Sequence, residues 1–182
     1  MCSSLELAQK LLGTYLVKSD SNFVIAGEII ETEAYDQFGD EASHSFRGKT
    51  KRNDVMFRSG GYLYVYFTYG VHYCCNVSAD KEGRGAAVLI RGLKPLTGID
   101  EMIKRRYSTN KVTEKQKANL VNGPAKICQA FNINMSNNGL DLLTENIYIA
   151  RGNLDSIYSI KASQRIGISK SKDLLWRFTA DV

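Results

Sequence analysis

Residues 61 to 79, GYLYVYFTYGVHYCCNVSA, leave the chain few ways to fold. Aromatic and β-branched residues fill two runs that meet near Tyr69 and Gly70, a composition suited to pleated backbone with a tight reversal between the runs. The stretch predicts a β-hairpin with its tip at Tyr69 and Gly70. Tyr66 and Tyr69 are three apart and leave a regular strand from opposite faces, so that one can line a pocket while the other projects at the tip. Each of these tyrosines equally fits an aromatic ladder packed into the core. Adjacent Cys74 and Cys75 also point to opposite faces, which is poor geometry for holding one ion.

More of the chain reads as strand. NFVIAGEIIETEAY (22 to 35) is rich in β-branched residues, and a period of two places Ile29, Glu31, Glu33 and Tyr35 on one face. GAAVLIRGLKPL (85 to 96) predicts a buried strand ending at Gly92 and Pro95, and Arg91 interrupts its apolar run. A charge in such a place is paired, with Glu31 or another acid, or functional. Helices are expected after Ser3, with Glu6 three residues on and Gly13 as the stop, around IDEMIKRRY, and over NGPAKICQAFNI. Pro124 opens the last of these, and the free N–H groups of its first turn suit an anion such as a DNA phosphate. Asp36 to Gly61 reads as a long functional surface loop, 107 to 119 as a polar loop, and DLLTENIYIA, SIYSIKASQRIGIS and LLWRF as strands or loops that close a sheet. With 182 residues, no internal repeat and no linker, a single domain over 1–182 is expected.

Charge is segregated. Residues 28 to 41 carry Glu28, Glu31, Glu33, Asp36, Asp40 and Glu41 without a base, and residues 47 to 58 carry Arg47, Lys49, Lys51, Arg52 and Arg58 against Asp54. Either these are two solvated surfaces, or an acidic reaction centre adjoins a phosphate-gripping rim to which Lys49, Lys51 and Arg52 belong. The net charge of +5 favours a polyanionic partner. No apolar run approaches the ~20 residues of a membrane span, and the first residues lack the features of an export signal, so the expected setting is the cytoplasm, or the nucleus if the source has one. Cys2, Cys74, Cys75 and Cys128 form no CxxC pair, and His44 and His72 have no zinc-site spacing; no metal and no cofactor are expected. Walker A, GxGxxG, GxSxG and zinc-deaminase signatures are missing, which weighs against kinases, Rossmann dehydrogenases and α/β-hydrolases. The chemistry that remains is carboxylate plus aromatics, the means of positioning water and stabilising a cationic transition state in cleavage of a glycosidic bond.

Read together, IIETEAY (29 to 35), ASHSFRGKTKRN with MF (42 to 57), LYVYFTYGVHYCCNVS (63 to 78), AVLIRGLKPLTGIDEM (87 to 102), NGPAKICQAFNI, RIGIS and WRF make a chain that resembles the alkyladenine (3-methyladenine) DNA glycosylase family of base-excision repair, over nearly its whole length. The resemblance implies a mixed α/β (α+β) fold around a curved, largely antiparallel sheet with a protruding hairpin. It also implies excision of alkylated or deaminated purines from damaged double-stranded DNA. Glu33 matches the carboxylate that activates water, and Arg91 the arginine that holds the nucleotide and water. Tyr35 and His44 match the side chains stacking on one side of the flipped base, and Tyr66 the aromatic on the other. Asn76 matches the residue opposing the exocyclic amino group of guanine, and Tyr69 the side chain intercalated into the duplex. With no matching lysine or N-terminal proline for a Schiff base, the implied enzyme is monofunctional and leaves an abasic site. A monomer fits a protein that slides along DNA.

An electron-rich pocket prefers a purine made cationic by methylation, whose glycosidic bond is already weakened. Burial beside Tyr35 would raise the pKa of Glu33 and Arg91 would lower it. Two rivals are a Mg²⁺-dependent nuclease or phosphoesterase, with Glu31, Glu33, Asp36, Asp40 and His44 as ligands, and a non-catalytic nucleic-acid binding module.

Overall fold

A computed structural model describes residues 2–19, 23–68, 70–109, 111–152 and 159–181. In it the expected hairpin forms from β3 (Leu63–Thr68) and β4 (His72–Ser78), and Val71 N–H donates to the Thr68 carbonyl across the turn. Tyr69 lies outside the described residues. The hairpin is one edge of an antiparallel sheet that continues through β5 (Ala86–Thr97), β2 (Val24–Asp36), β1 (Tyr15–Ser19) and β6 (Ile147–Ala150). β2 is long enough to pair with β5 along one edge and with two strands in succession along the other: β1 first, then β8 (Arg177–Asp181), which carries β7 (Ser159–Ser163) outside it.

Among the described residues four helices flank the strands: α1 (Ser4–Lys10), capped by the Ser3 hydroxyl on Glu6 N–H, α2 (Ile99–Tyr107), α3 (Glu114–Ala118) and α4 (Pro124–Phe131). α1, α2 and α4 bury Ala8, Met102, Ile127 and Phe131 against Ile25, Ile29, Cys75 and Ile90 on one face of the sheet. Gly123 caps α4 without a side-chain bond, and Pro124 begins the helix as expected. α3 falls inside the stretch read as a polar loop, and Thr113 and Gln116 form a reciprocal capping box at its start. Cys74 and Cys75 do part to opposite faces: Cys75 joins the main core, and Cys74 faces the other side.

The expected single face for Ile29, Glu31, Glu33 and Tyr35 is not what forms. Between Ile29 and Thr32 the β2–β5 register slips twice, once on each strand, so that Ile29 pairs with Leu93 but Thr32 with Ile90. Each strand gains one residue in the slip, and alternation changes sides. Ile29 therefore enters the helix-side core, while beyond the slip Thr32 faces α1, its hydroxyl donating to the Ala8 carbonyl, and Glu33 and Tyr35 turn to the opposite face.

That opposite face is covered by the segment 37–62, which is packed, where a surface loop was expected. Its 3₁₀ turn Asp54–Phe57 supplies Val55, Met56 and Phe57 to a second small core with Tyr64 and Ala87. Gly85, at the edge of β5, permits this docking: a Cβ there would lie 2.5 Å from Ser45 Cβ and 2.6 Å from Phe57 Cζ.

Candidate active site

Sheet register assembles the site. Directly opposed residues on antiparallel strands point to the same face, so the pairs Tyr64 with Asn76, Asn76 with Leu89, Leu89 with Glu33 and Glu33 with Arg177 form one row across five strands. Tyr66 and Cys74 begin the next row. Over these rows lies a cavity of about 450 Å³, within the range of small-molecule sites. Tyr35, His44, Tyr66, Asn76 and Arg91 all line it, so five of the residues expected to act together do meet here.

Glu33 does not itself line the cavity: it lies behind three residues that do, Tyr35, Arg91 and Ile166, with no exposed surface. Its Oε1 accepts the Ile166 N–H at 2.8 Å and lies 3.5 Å from Arg91 Nη1, while its Oε2 accepts the Tyr35 hydroxyl at 2.8 Å. Burial is the dominant influence and raises the Glu33 pKa above the ordinary carboxylate value, against the lowering effects of the Ile166 N–H and Arg91. Of the two opposing influences foreseen from sequence, burial prevails. The same burial, with Glu33 beside it, pushes the Tyr35 phenol up, so it remains a hydrogen-bond donor at neutral pH. Arg91 is paired with Glu31, one of the two readings made of it: its Nε donates to Glu31 Oε1 at 2.9 Å, and its side chain also lines the cavity.

His44 and Tyr66 were expected on opposite sides of a stacked base. Here their rings touch edge to face with centroids 4.6 Å apart, and a planar base enters between them only if one moves. His44 Nδ1 shares a hydrogen bond with the Tyr64 hydroxyl at 2.9 Å. Burial and the charge of Arg52 lower the His44 pKa below its ordinary value, which keeps it neutral at pH 7. Burial pushes the Tyr64 phenol up to about 12 and the Cys74 thiol up to about 11, so both stay protonated. Asn76 Nδ2 donates to the Tyr64 carbonyl at 3.0 Å.

Two supports of the site carried no individual signal in the sequence. Asn53 is buried and donates from Nδ2 to the carbonyls of His44 (2.8 Å) and Gly48 (3.0 Å), stapling the loop that bears His44. Arg165, with its side chain fully buried, grips Asp40 through two bonds of 2.7 and 2.6 Å and lies 4.5 Å over the Tyr35 ring. It thereby fixes the stretch whose residues 166–170 line the cavity and whose Ile166 N–H reaches Glu33. Of the basic rim, Lys49 pairs with Asp54 at 2.9 Å, Arg52 lies 6.0 Å over the Tyr66 ring, and Lys51 is exposed.

The acids do not converge on a cation. Glu31 binds Arg91 and Arg177, Asp36 binds Arg84, and Asp40 binds Arg165, so each carboxylate is already engaged by a guanidinium.

The mixed α/β domain thus carries an aromatic-lined cavity backed by a buried carboxylate of raised pKa. The sequence model described as methylpurine-DNA glycosylase matches residues 2–182, and the chain belongs to that family. Among relatives provisionally named 3-methyladenine DNA glycosylase, one from Francisella tularensis subsp. tularensis is 46% identical over 178 residues, covering 96% of this chain and 89% of the relative. One from Prosthecochloris aestuarii is 45% identical over 175 residues (96% and 81%), and one from Clostridium novyi 41% over 181 (96% and 89%). No described helix is long and apolar enough to cross a membrane.

Proposed function

We propose that this chain extrudes alkylated purines such as 3-methyladenine and 7-methylguanine, and the neutral lesions hypoxanthine and ethenoadenine more slowly, from duplex DNA and hydrolyses their N-glycosidic bond. The observation that carries this reading is Glu33: a buried carboxylate of raised pKa, held directly behind the Tyr35, Arg91 and Ile166 lining of an aromatic cavity, in a member of the methylpurine-DNA glycosylase family. In the unliganded protein the Tyr35 hydroxyl and Ile166 N–H close off Glu33. Entry of a base parts the His44 and Tyr66 rings and shifts Tyr35, which frees Glu33 Oε2 to accept a hydrogen bond from water.

That water attacks C1′ as the bond from C1′ to the purine nitrogen breaks; its proton passes to Glu33, and the bonding electron pair leaves with the base, neutralising a methylated purine's charge. Arg91, beside both Glu33 and the cavity, orients the carboxylate and the water. Tyr35, Tyr66 and neutral His44 favour a cationic base by presenting ring faces and no competing positive charge. Asn76 opposes the amino group of undamaged guanine, Tyr69 fills the gap left in the stack, and Lys49, Lys51 and Arg52 track the backbone. Lys170 lines the cavity, but the resemblance assigns no lysine to Schiff-base chemistry, so the product is an abasic site in an uncut strand, and the protein acts as a monomer without metal or cofactor.

Product analysis tests the reading. Methylated duplex incubated in excess EDTA should yield free methylpurine and a strand that breaks only after alkali. Strand breaks without alkali, or dependent on Mg²⁺, would establish nuclease or lyase chemistry, and tight binding with no released base would establish a binding module.

A further inference from the structure

Glu31 lies at the register slip of β2, and its Oε1 accepts two guanidinium Nε–H groups at once, Arg91 at 2.9 Å and Arg177 at 2.6 Å. The pocket is thus backed by two acids and two arginines in alternation: Arg177, Glu31, Arg91, Glu33. Because the Nε edge of Arg91 is taken by Glu31, an Nη nitrogen is what faces Glu33, at 3.5 Å, and the cavity. Gly92 leaves room for Glu31: a Cβ there would stand 3.0 Å from Glu31 Cβ and 3.1 Å from its Oε2. The slip that turned Glu33 toward the pocket also left Arg91 unmatched in the ladder, because the pairing steps from Gly92 to Ile90. Its side-chain direction is therefore set by Glu31 rather than by regular pleating.

We propose that Glu31 is a positioning residue for this site, acting only through Arg91, with Arg177 as the counter-charge that lets it do so. Two guanidinium groups around one carboxylate leave a net positive charge, which Glu33 shares in its ionised form. Without Arg177, Glu31 would neutralise Arg91 and weaken its hold on Glu33; without Glu31, the two arginines repel each other and Arg91 swings from Glu33. The groups that face Glu33 are Tyr35 from β2, Arg91 from β5, Cys74 from β4, Arg177 from β8, and Arg165 with the Ile166 N–H from the segment after β7. Glu31 bonds both Arg91 and Arg177, but among the described residues Arg91 is the one that forms an ion pair with Glu33. The inference rests on the glycosylase reading for its kinetic arm, and on arginine side-chain spectra for an arm independent of it.

The test combines Glu31→Leu, Arg91→Gln and the double variant. Single-turnover base release from methylated duplex should fall on the order of 100-fold in Glu31→Leu, the scale of loss that small misplacements of a reacting group produce. It should fall no further when Glu31→Leu is added to Arg91→Gln. The acid limb of the pH–rate profile should move to higher pH in Glu31→Leu, because a departing Arg91 no longer lowers the Glu33 pKa. Removing a carboxylate while Arg91 stayed in place would move the limb to lower pH. Additive losses in the double variant, or a limb that moves down or stays put, overturn the proposal. Glu31→Gln, which keeps an acceptor for Nε, should recover most of the rate, and it serves the same cycle if the leucine variant does not fold. In NMR spectra, the Arg91 Nε–H should exchange slowly with solvent in wild type and rapidly in Glu31→Leu; slow exchange in both refutes the clamp whether or not any base is released. Wild type that releases no base refutes the glycosylase reading instead.

Discussion

Breaking the Asp40–Arg165 pair should be among the most damaging changes available in this protein. Both side chains are fully buried, the two bonds between them are 2.6 and 2.7 Å, and Arg165 also donates to the Ala34 carbonyl at 2.9 Å. Asp40 further accepts the Ala42 N–H at 3.1 Å. Asp40→Asn removes the only carboxylate bonded to a guanidinium that cannot shed its charge, and leaving one member of a buried pair uncompensated costs about 3–5 kcal/mol. For a domain of this length each kcal/mol lowers Tm by about 2–4 °C, so a drop of about 6–20 °C is expected in thermal unfolding followed by circular dichroism. Arg165→Met strands the Asp40 carboxylate instead and should cost a similar amount. Asp40→Leu combined with Arg165→Met should recover part of either loss, since a buried pair and an apolar pair are often close in energy. Single variants within about 1 kcal/mol of wild type, or strictly additive losses, would refute the idea that this pair ties the His44 loop to the segment bearing Ile166.

Three further outcomes follow from the geometry. Burial raises the Glu33 pKa above 4.5, so the folded state holds that proton more tightly than the unfolded chain, and stability falls as pH rises through the folded pKa. Glu33→Gln should consequently melt at or above the wild-type temperature at pH 7, with the gap closing toward pH 4.5; a lower Tm at pH 7 contradicts this sign. The acid limb of wild-type base release should sit above that of an ordinary glutamate, and Arg91→Gln, which removes a lowering charge, should raise it further; a fall in the limb would show that Arg91 does not bear on Glu33. Gly85→Ala drives a methyl into Ser45 and Phe57 and should cost about 1–3 kcal/mol in urea unfolding, and a cost below about 0.5 kcal/mol would mean that segment 37–62 is not clamped there.

The hairpin, the long strand and the first helix were legible because periodicity and capping are local: Tyr62 to Ser78 alternate on both arms, and Ser3 meets Glu6 within one turn. Tyr35, His44, Tyr66, Asn76 and Arg91, grouped by the family resemblance, do converge on one cavity. What sequence could not reveal was long-range. Period-two reasoning carried Ile29 and Glu33 to the same face, because a slip on both strands leaves no trace in the residues of either one alone. Asp40 and Arg165 are 125 residues apart, and neither sits in a pattern that announces a partner. The compactness of 37–62 was hidden for a related reason: its glycines and charges look like loop, and only the docking of Val55, Met56 and Phe57 on Tyr64 makes it a packed layer. α3, by contrast, was missed despite a readable signal, Thr113 followed three residues later by Gln116.

The central claim is that Glu33 performs the hydrolysis, and single-turnover release of methylated purine by wild type and Glu33→Gln, both saturated with DNA and in EDTA, tests it most directly. A loss of ~10²–10⁴-fold in the variant, with duplex affinity retained, is the result this account predicts. Release by Glu33→Gln at the wild-type rate would contradict it.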